Sequence, residues 1–507
     1  MSTTQLGMPT TPRERLTPAP PEGALIDSPP FPIAAKRELG KTTQLRNLHH
    51  ATHTIRAKRG RVVAELDHWQ DLRSAGEAIK TRVGRHLDTY LVQLEDNLTK
   101  AGATVHWARD AEEANRIIVG LVKATGATEA VKVKSMATQE IDMNEALEEE
   151  GIAAWETDLA ELIVQLGHDR PSHILVPAIH RNRTEVREIF LEEMGRYGTP
   201  PPEGLDDQPA NLANAARGHL RDRFLRARVA ISGANFAIAD TGSLVVVESE
   251  GNGRMCLTLP ETLISVVGIE KVLPTFDDLE VFLQLLPRSS TAERMNPYTT
   301  IWTGPTAGDG PQDVHVVLFD NGRTRALADP HGRAALRCIR CSACLNVCPV
   351  FEKVGGHAYG SVYPGPIGGI LNPQLRGTES AVDKSLPFAS TLCGACNDVC
   401  PVKIPITDIL VHERHLVVEA KKAEAGRTPH LEPILMQGGS WLMADSRRLG
   451  LVQRAANVFA TVASPVLKRI GNWPVPGVNR WLRARDVPLP PKASFRTQWQ
   501  RTEKGDR

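Results

Sequence analysis

The chain shows almost no charge of either sign in excess: 60 Lys and Arg stand against 59 Asp and Glu, a formal net charge of +1. That balance excludes a global electrostatic pull toward nucleic acid or membrane. No run of about 18 apolar residues occurs, so no segment is expected to span a bilayer. A secretory signal is also lacking, because residues 1–30 are rich in Pro and Thr and carry no apolar h-region. The thiols are therefore expected to stay reduced, as in a cytosol, and disulfides are not expected. Neither G-x-G-x-x-G nor G-x-x-x-x-G-K-[ST] is present; G-N-G-R-M-C at 251–256 has Cys256 where a third glycine would stand. A nicotinamide or ATP site has little support. Adjacent cysteine pairs are missing as well.

Seven of the eight cysteines fall into two blocks, C-I-R-C-S-A-C-L-N-V-C-P-V and C-G-A-C-N-D-V-C-P-V, between Cys338 and Cys400. The first block, Cys338, Cys341, Cys344 and Cys348 before Pro349, is the C-x2-C-x2-C-x3-C-P run of a bacterial-type ferredoxin. Three thiolates at two-residue gaps wrap one cubane on a tight turn, and the fourth points away to a second cluster. With Cys393, Cys396 and Cys400 before Pro401, crossed pairing follows. Cys338, Cys341, Cys344 and Cys400 are expected to hold one [4Fe-4S] cluster, and Cys348, Cys393 and Cys396 another. The second set is one sulfur short: the motif frame puts its missing ligand at Ser390. That cluster has three certain protein ligands and is [4Fe-4S] or [3Fe-4S]. Paired C-x-x-C motifs also make structural zinc sites, but four cysteines within eleven residues, with each block closing on Cys-Pro-Val, fit a cubane pair better. Cys256, in the apolar context M-C-L-T-L, reads as a buried structural thiol.

Length and composition predict two to four domains of an ordinary soluble type. Residues 1–30 read as a disordered N-terminus. From Phe31 to Ala101 the apolar spacing is helical. Beyond it A-V-K-V-K, H-I-L-V-P-A-I, F-A-I-A-D and S-L-V-V-V-E-S read as strands, alternating with helices such as E-A-N-R-I-I-V-G-L-V-K and D-L-A-E-L-I-V-Q-L. This alternation predicts a mainly parallel α/β domain, ending near Pro305. The linker G-P-T-A-G-D-G-P-Q-D, one short strand V-H-V-V-L-F and the cysteine blocks would then form a domain over 306–420. The 44 residues between the blocks exceed what a minimal ferredoxin needs and suit a helical ferredoxin. Its glycine-rich loop places His357, Tyr359 and Tyr363 at a partner surface or cluster edge, or packs them locally.

In the α/β part, G-A-N-F-A-I-A-D-T-G-S offers Asn235, Asp240, Thr241 and Ser243 as a ligand loop at the strand ends; a plain tight turn is the alternative. Ser135 and Thr138 form a second candidate or cap the helix that follows. From 421 onward the chain is basic, with 13 Lys or Arg against 4 Asp or Glu from Trp441 on, and Trp441, Trp473, Trp481 and Trp499 interleaved. An amphipathic helix broken at Pro465 is expected there, facing a membrane surface or acidic partner, or packed on the ferredoxin part.

The cysteine blocks with K-I-P-I after the second, the stretch I-S-G-A-N-F-A-I-A-D-T-G-S-L-V-V-V-E-S-E-G-N-G-R, and R-S-S-T-A-E-R-M-N-P-Y together resemble the lactate utilization protein B family. The resemblance implies the iron-sulfur subunit of a three-protein complex that oxidises L-lactate to pyruvate. It also implies an α/β part similar to the sugar-isomerase and CoA-transferase-like superfamily. A three-cysteine second block resembles the family's usual pattern. Oxidising a 2-hydroxy acid releases two electrons, which two one-electron clusters can carry onward without abstracting a hydride. A heterodisulfide-reductase-like cysteine motif would have to come from another subunit. Two other readings stay open: a self-sufficient enzyme acting on a sugar phosphate or CoA ester with regulatory clusters, and an assembly scaffold.

Overall fold

The computed structural model describes residues 16–18, 28–425, 431–469 and 494–505. Most of the N-terminal stretch read as disordered, and Trp473 and Trp481, lie outside these residues. The described chain forms two compact units, 1–418 and 419–507.

Four helices lead in: α1 (Phe31–Glu38), α2 (Thr42–Ala64), α3 (Trp69–Arg85) and α4 (Leu87–Lys100). In α4 the leucines at 87, 91, 94 and 98 recur at three- and four-residue steps, so all four are buried on one face. Six strands then build a parallel sheet: β1 (Thr104–Ala108), β2 (Glu129–Lys132), β3 (Ala153–Glu156), β4 (Val229–Gly233), β7 (Thr262–Gly268) and β10 (Asp313–Phe319), in the order β1-β10-β7-β4-β2-β3. A second sheet has the order β8-β5-β6-β9, from β5 (Phe236–Ile238), β6 (Ser243–Glu248), β8 (Val272–Leu273) and β9 (Tyr298–Trp302).

Parallel sheets are covered on both faces, which is why their strands read as continuous apolar runs. In β10, Val314, Val316 and Leu318 pack with the α4 leucines, while Val317 and Phe319 pack with Ala114, Ile118 and Val122 of the helix Ala111–Ala124. This strand was expected to belong with the cysteine blocks. It lies instead inside the sheet, paired with β1 and β7 (Val316 opposite Val105 and Ser265), so the α/β layer ends beyond 305, at Phe319. The run is too apolar on both faces to stand outside a sheet.

Two other expectations change. F-A-I-A-D and S-L-V-V-V-E-S are strands, but they form an antiparallel hairpin in the second sheet. H-I-L-V-P-A-I is no strand: the His173 ring accepts the Leu175 and Val176 N–H groups at 3.1 and 3.0 Å, removing donors a ladder would need. After β10 every described element is helical, including Pro349–Val354, Gly365–Arg376 and Ile406–Ala425. In the second unit the helix Ser446–Arg469 continues through Pro465 where a break was expected. A proline removes one ladder bond, which need not end a long helix. Trp441 and Trp499 are exposed there, and the Arg448 guanidinium lies 4.2 Å from the Trp441 ring. Among the described residues no helix is long and apolar enough to cross a membrane.

Candidate iron-sulfur and ligand sites

The first block owes its shape to two non-glycine residues in the left-handed region, Arg340 (φ 62°) and Ser342 (φ 64°). Each reverses the chain so that the cysteines on either side face one another. Cys338, Cys341, Cys344 and Cys400 line one small cavity of about 20 Å³, walled by Ile174, Ile339, Ile367, Val402, Ile404 and Ile406. Burial, then the neighbouring Cys400 and Cys338, push the Cys341 thiol up to about 12. In the second block, burial, then Cys348 and Cys393, push Cys396 up to about 12, while Cys393 itself is exposed. Cys400 of the second block thus lines one cavity with Cys338, Cys341 and Cys344 of the first, while Cys348 and Cys393 act on Cys396.

Backbone donors already point at the sulfurs. Arg340 N–H donates to Cys338 Sγ (3.4 Å), Ile404 N–H to Cys400 Sγ (3.3 Å) and Phe351 N–H to Cys348 Sγ (3.5 Å). Cys348 is the N-cap of the helix Pro349–Val354, which explains the proline after it: the ring fits the first helical position and the thiol takes an orphan N–H. Two arginines of the lead-in helices brace the second block. Arg73 donates to Cys400 O (2.9 Å) and Asn397 O (3.2 Å), and Arg59 to Val399 O (2.8 Å). Clustered thiols with N–H donors at the sulfurs and arginines close by suit anionic sulfurs shared by a metal cluster.

Ser390 is less committed to this site than the motif frame implies. Its hydroxyl accepts the Leu392 N–H at 3.1 Å, and its carbonyl accepts from Arg414 at 2.9 Å. Tyr359 stands closer to the sulfurs. Its hydroxyl is fully buried, meets no nitrogen or oxygen partner and lies in the field of Cys348 and Cys344. Of the other loop residues, His357 is at the Arg170 carbonyl (2.7 Å) and near Asp169, and Tyr363 donates to Glu140 (2.6 Å).

A second cavity, of about 310 Å³, opens at the C-terminal ends of β2, β4 and β7, where Val133–Ala137, Gly233–Asn235 and Gly268–Lys271 leave the sheet. Arg340 and Tyr363 close it from the side of the cysteine blocks. Beneath runs a buried ionic chain. Arg323 binds Glu140 through Nη1 and Nη2 (2.8 and 3.0 Å) and Glu270 through Nε; Arg340 reaches Glu270 at 3.2 Å. Lys80 of α3 donates to the Glu270 carbonyl. Burial alone would raise the Glu270 carboxyl, but Arg323 and Arg340 outweigh it and hold the group well below the usual carboxylate range. Burial works against the Arg323 charge too, and Glu140 and Glu270 more than restore it.

Of the predicted ligand loop only Asn235 reaches this cavity. Asp240, Thr241 and Ser243 do not join it. They belong to the tight turn of the β5–β6 hairpin, where Thr241 Oγ1 donates to Ser243 Oγ (2.9 Å) and Ser243 bonds Thr303 (2.6 Å). Gly242 (φ 69°) packs that turn on Asn97, leaving no room for a Cβ. The reason is the hairpin itself: β5 runs away from the strand ends, carrying residues 240–243 with it. Ser135 lines the cavity and makes no capping bond, while Thr138 bonds back to the Ser135 carbonyl (2.9 Å). Cys256 is buried, 3.5 Å from the Thr157 hydroxyl and far in sequence from either block. Lys271, Arg323, Glu140 and Glu270 escape the sequence reading. The one available signal was I-E-K directly after the apolar strand T-L-I-S-V-V-G, charge at the point where an open sheet places its ligands.

Comparison with known proteins agrees with both halves. Residues 91–319 match the LUD domain and 334–404 match the 4Fe-4S dicluster domain. Lactate utilization protein B of Oceanobacillus iheyensis is 42% identical, over 89% of this chain and 92% of that one. The protein of that name from Bacillus licheniformis is also 42% identical, over 90% and 94%, and that from Bacillus subtilis 41%, over 90% and 93%. A solved structure of a DUF162 family protein from Deinococcus radiodurans matches at 16% identity over 46% of this chain and 98% of that one, with a TM-score of 0.26, too low to bear on the fold. An α/β domain with a parallel sheet, followed by a 4Fe-4S dicluster domain, is thus supported by the fold and by kinship alike, and the chain belongs to the lactate utilization protein B family.

Proposed function

We propose that this chain is the iron-sulfur electron-transfer subunit of a complex that oxidises L-lactate to pyruvate. One observation carries the reading: Cys400 of the second block lines one cavity with Cys338, Cys341 and Cys344 of the first, as expected where two-cluster ferredoxins cross their ligands. Cys338, Cys341, Cys344 and Cys400 would hold a first [4Fe-4S] cluster, and Cys348, Cys393 and Cys396 a second, [4Fe-4S] or [3Fe-4S]. When bound, the clusters supply one-electron acceptance and donation. The protein's part is positional and electrostatic. The isoleucine wall keeps water from the first site, backbone N–H groups soften the sulfur charge, and Arg59 and Arg73 offset it from α2 and α3. The α/β domain is read as similar to the sugar-isomerase and CoA-transferase-like superfamily. Other subunits of a lactate utilization system are the expected partners. The exposed Trp441 and Trp499, among basic residues, suit such a partner or a peripheral membrane contact.

The test is anaerobic purification followed by iron and sulfide analysis. The chain is expected to be brown with about eight irons, or about seven if the second cluster lacks one. L-lactate should bleach the cluster absorbance only when partner subunits are present. A colourless chain holding zinc would sink the reading.

Ser390→Cys checks the second set. If residue 390 faces the cluster, a fourth thiolate should convert any [3Fe-4S] signal to [4Fe-4S] and slow its loss in air. The hydroxyl's present bond to Leu392 N–H must then give way. An unchanged paramagnetic resonance spectrum would place the fourth ligand elsewhere.

A further inference from the structure

In the cavity at the strand ends, one cation has neither a hydrogen bond nor an ion pair among the described residues. Arg323 is paired with Glu140 and Glu270, and Arg340 with Glu270, although the Arg340 Nε is buried without a partner among the described residues. Lys134 donates to the Leu175 carbonyl. Lys271 lines the same cavity and makes no hydrogen bond or ion pair among the described residues. Lys271 is half-buried, and burial together with the adjacent Arg340 pushes its ammonium down to about 7. The backbone holds it there firmly: β7 ends at Gly268, and the adjoining 3-10 turn Ile269–Lys271 delivers the side chain directly into the crevice.

Neutral donors stand ready nearby. Asn235 Oδ1 is committed to the Val247 N–H at 2.8 Å, and among the described residues neither its Nδ2 nor Ser135 Oγ has a hydrogen-bond partner. The wall also carries Asp158, Glu248 and Glu250. Burial, then Asp158, push Glu250 up to about 7, so this wall already resists further negative charge. Such a cavity accepts one negative charge at Lys271 and repels a second. Its 310 Å³ lies at the low end of the roughly 300–1,000 Å³ range of small-molecule sites.

We propose that this cavity binds a small monocarboxylate with an oxygen on the adjoining carbon, a 2-hydroxy or 2-oxo acid, with Lys271 anchoring the carboxylate and Asn235 and Ser135 donating to the second oxygen. The charge and size class rest on the cavity; the choice of lactate and pyruvate within that class rests on the function proposed above. The site adjoins the first thiol set through Arg340, whose guanidinium reaches Glu270 and also the Cys338 carbonyl at 3.3 Å. Substrate bound there would sit one residue's length from a cluster-binding loop.

The experiment is calorimetric titration of the full, cluster-loaded chain under anaerobic conditions, without partner subunits. L-lactate or pyruvate is expected to bind saturably, and succinate and inorganic phosphate at least about tenfold more weakly because each brings a second charge. Lys271→Met and Asn235→Asp should each weaken binding by about tenfold or more, with iron content and circular dichroism unchanged. Asn235→Asp retains the acceptor for Val247 N–H, so it tests the cavity even if Lys271→Met folds poorly. No saturable heat from either acid, phosphate binding as tightly as lactate, or wild-type affinity in Asn235→Asp would each overturn the proposal. The two readings fail separately: saturable lactate binding without partner-dependent bleaching sinks electron transfer alone, and bleaching without binding to this chain sinks the cavity alone.

Discussion

Arg323→Met is expected to lower the unfolding free energy by about 3–5 kcal/mol, the usual cost of removing one partner from a buried ion pair. Arg323 is 1% exposed, and its guanidinium is the joint between Glu140, beside the first turn after β2, and Glu270, beside the end of β7. Methionine fills much of the volume but leaves two buried carboxylates facing each other. Tyr363 would keep its bond to Glu140 and Arg340 its bond to Glu270, which sets a floor under the loss. Adding Glu140→Gln to Arg323→Met should recover part of the stability, since it removes one uncompensated charge. Urea denaturation followed by far-ultraviolet circular dichroism is the measurement. A loss under about 1 kcal/mol would mean that the ionic chain is not what joins the sheet to the cysteine domain.

The cysteine substitutions have the largest effect on the cofactor. Cys400→Ser is expected to perturb the cluster held by Cys338, Cys341 and Cys344, and Cys348→Ser the one held by Cys393 and Cys396, so each lesion appears in the block distant in sequence. Paramagnetic resonance of the reduced protein reads this directly. The structural ground is that Cys400 lines the cavity of the first block, while Cys348 and Cys393 set the field at Cys396. The Cys348 sulfur also caps the helix Pro349–Val354; serine retains that cap, so Cys348→Ser separates the two roles. Changes confined to each residue's own block would overturn the crossed pairing.

Much of the cysteine site was legible in the chain because ligand spacing is a local property. Gaps of two and three residues state which sulfurs can share a turn, and a following proline states where the next helix begins. The lead-in helices were legible for the same reason: leucines 87, 91, 94 and 98 declare their face without reference to any neighbour. Strand partners were not. V-H-V-V-L-F reads equally well as an isolated strand before a new domain and as the second strand of a six-stranded sheet, since parallel pairing is decided by segments some fifty to two hundred residues away. In the ligand loop the motif was recognisable, but a hairpin turned Asp240, Thr241 and Ser243 away from Asn235.

The sequence by itself thus determined the metal chemistry, the helical lead-in and the alternation that makes an α/β layer, since each follows from residues close together along the chain. Only the tertiary structure decided that β10 lies inside the parallel sheet between β1 and β7, that Arg59 and Arg73 brace the second cysteine block, and that Lys271 lines a cavity beside the first. Those outcomes depend on which strands pair and which charges meet across long loops. Burial and pairing become defined for an ionisable group only when its surroundings are assembled, and no local pattern encodes them.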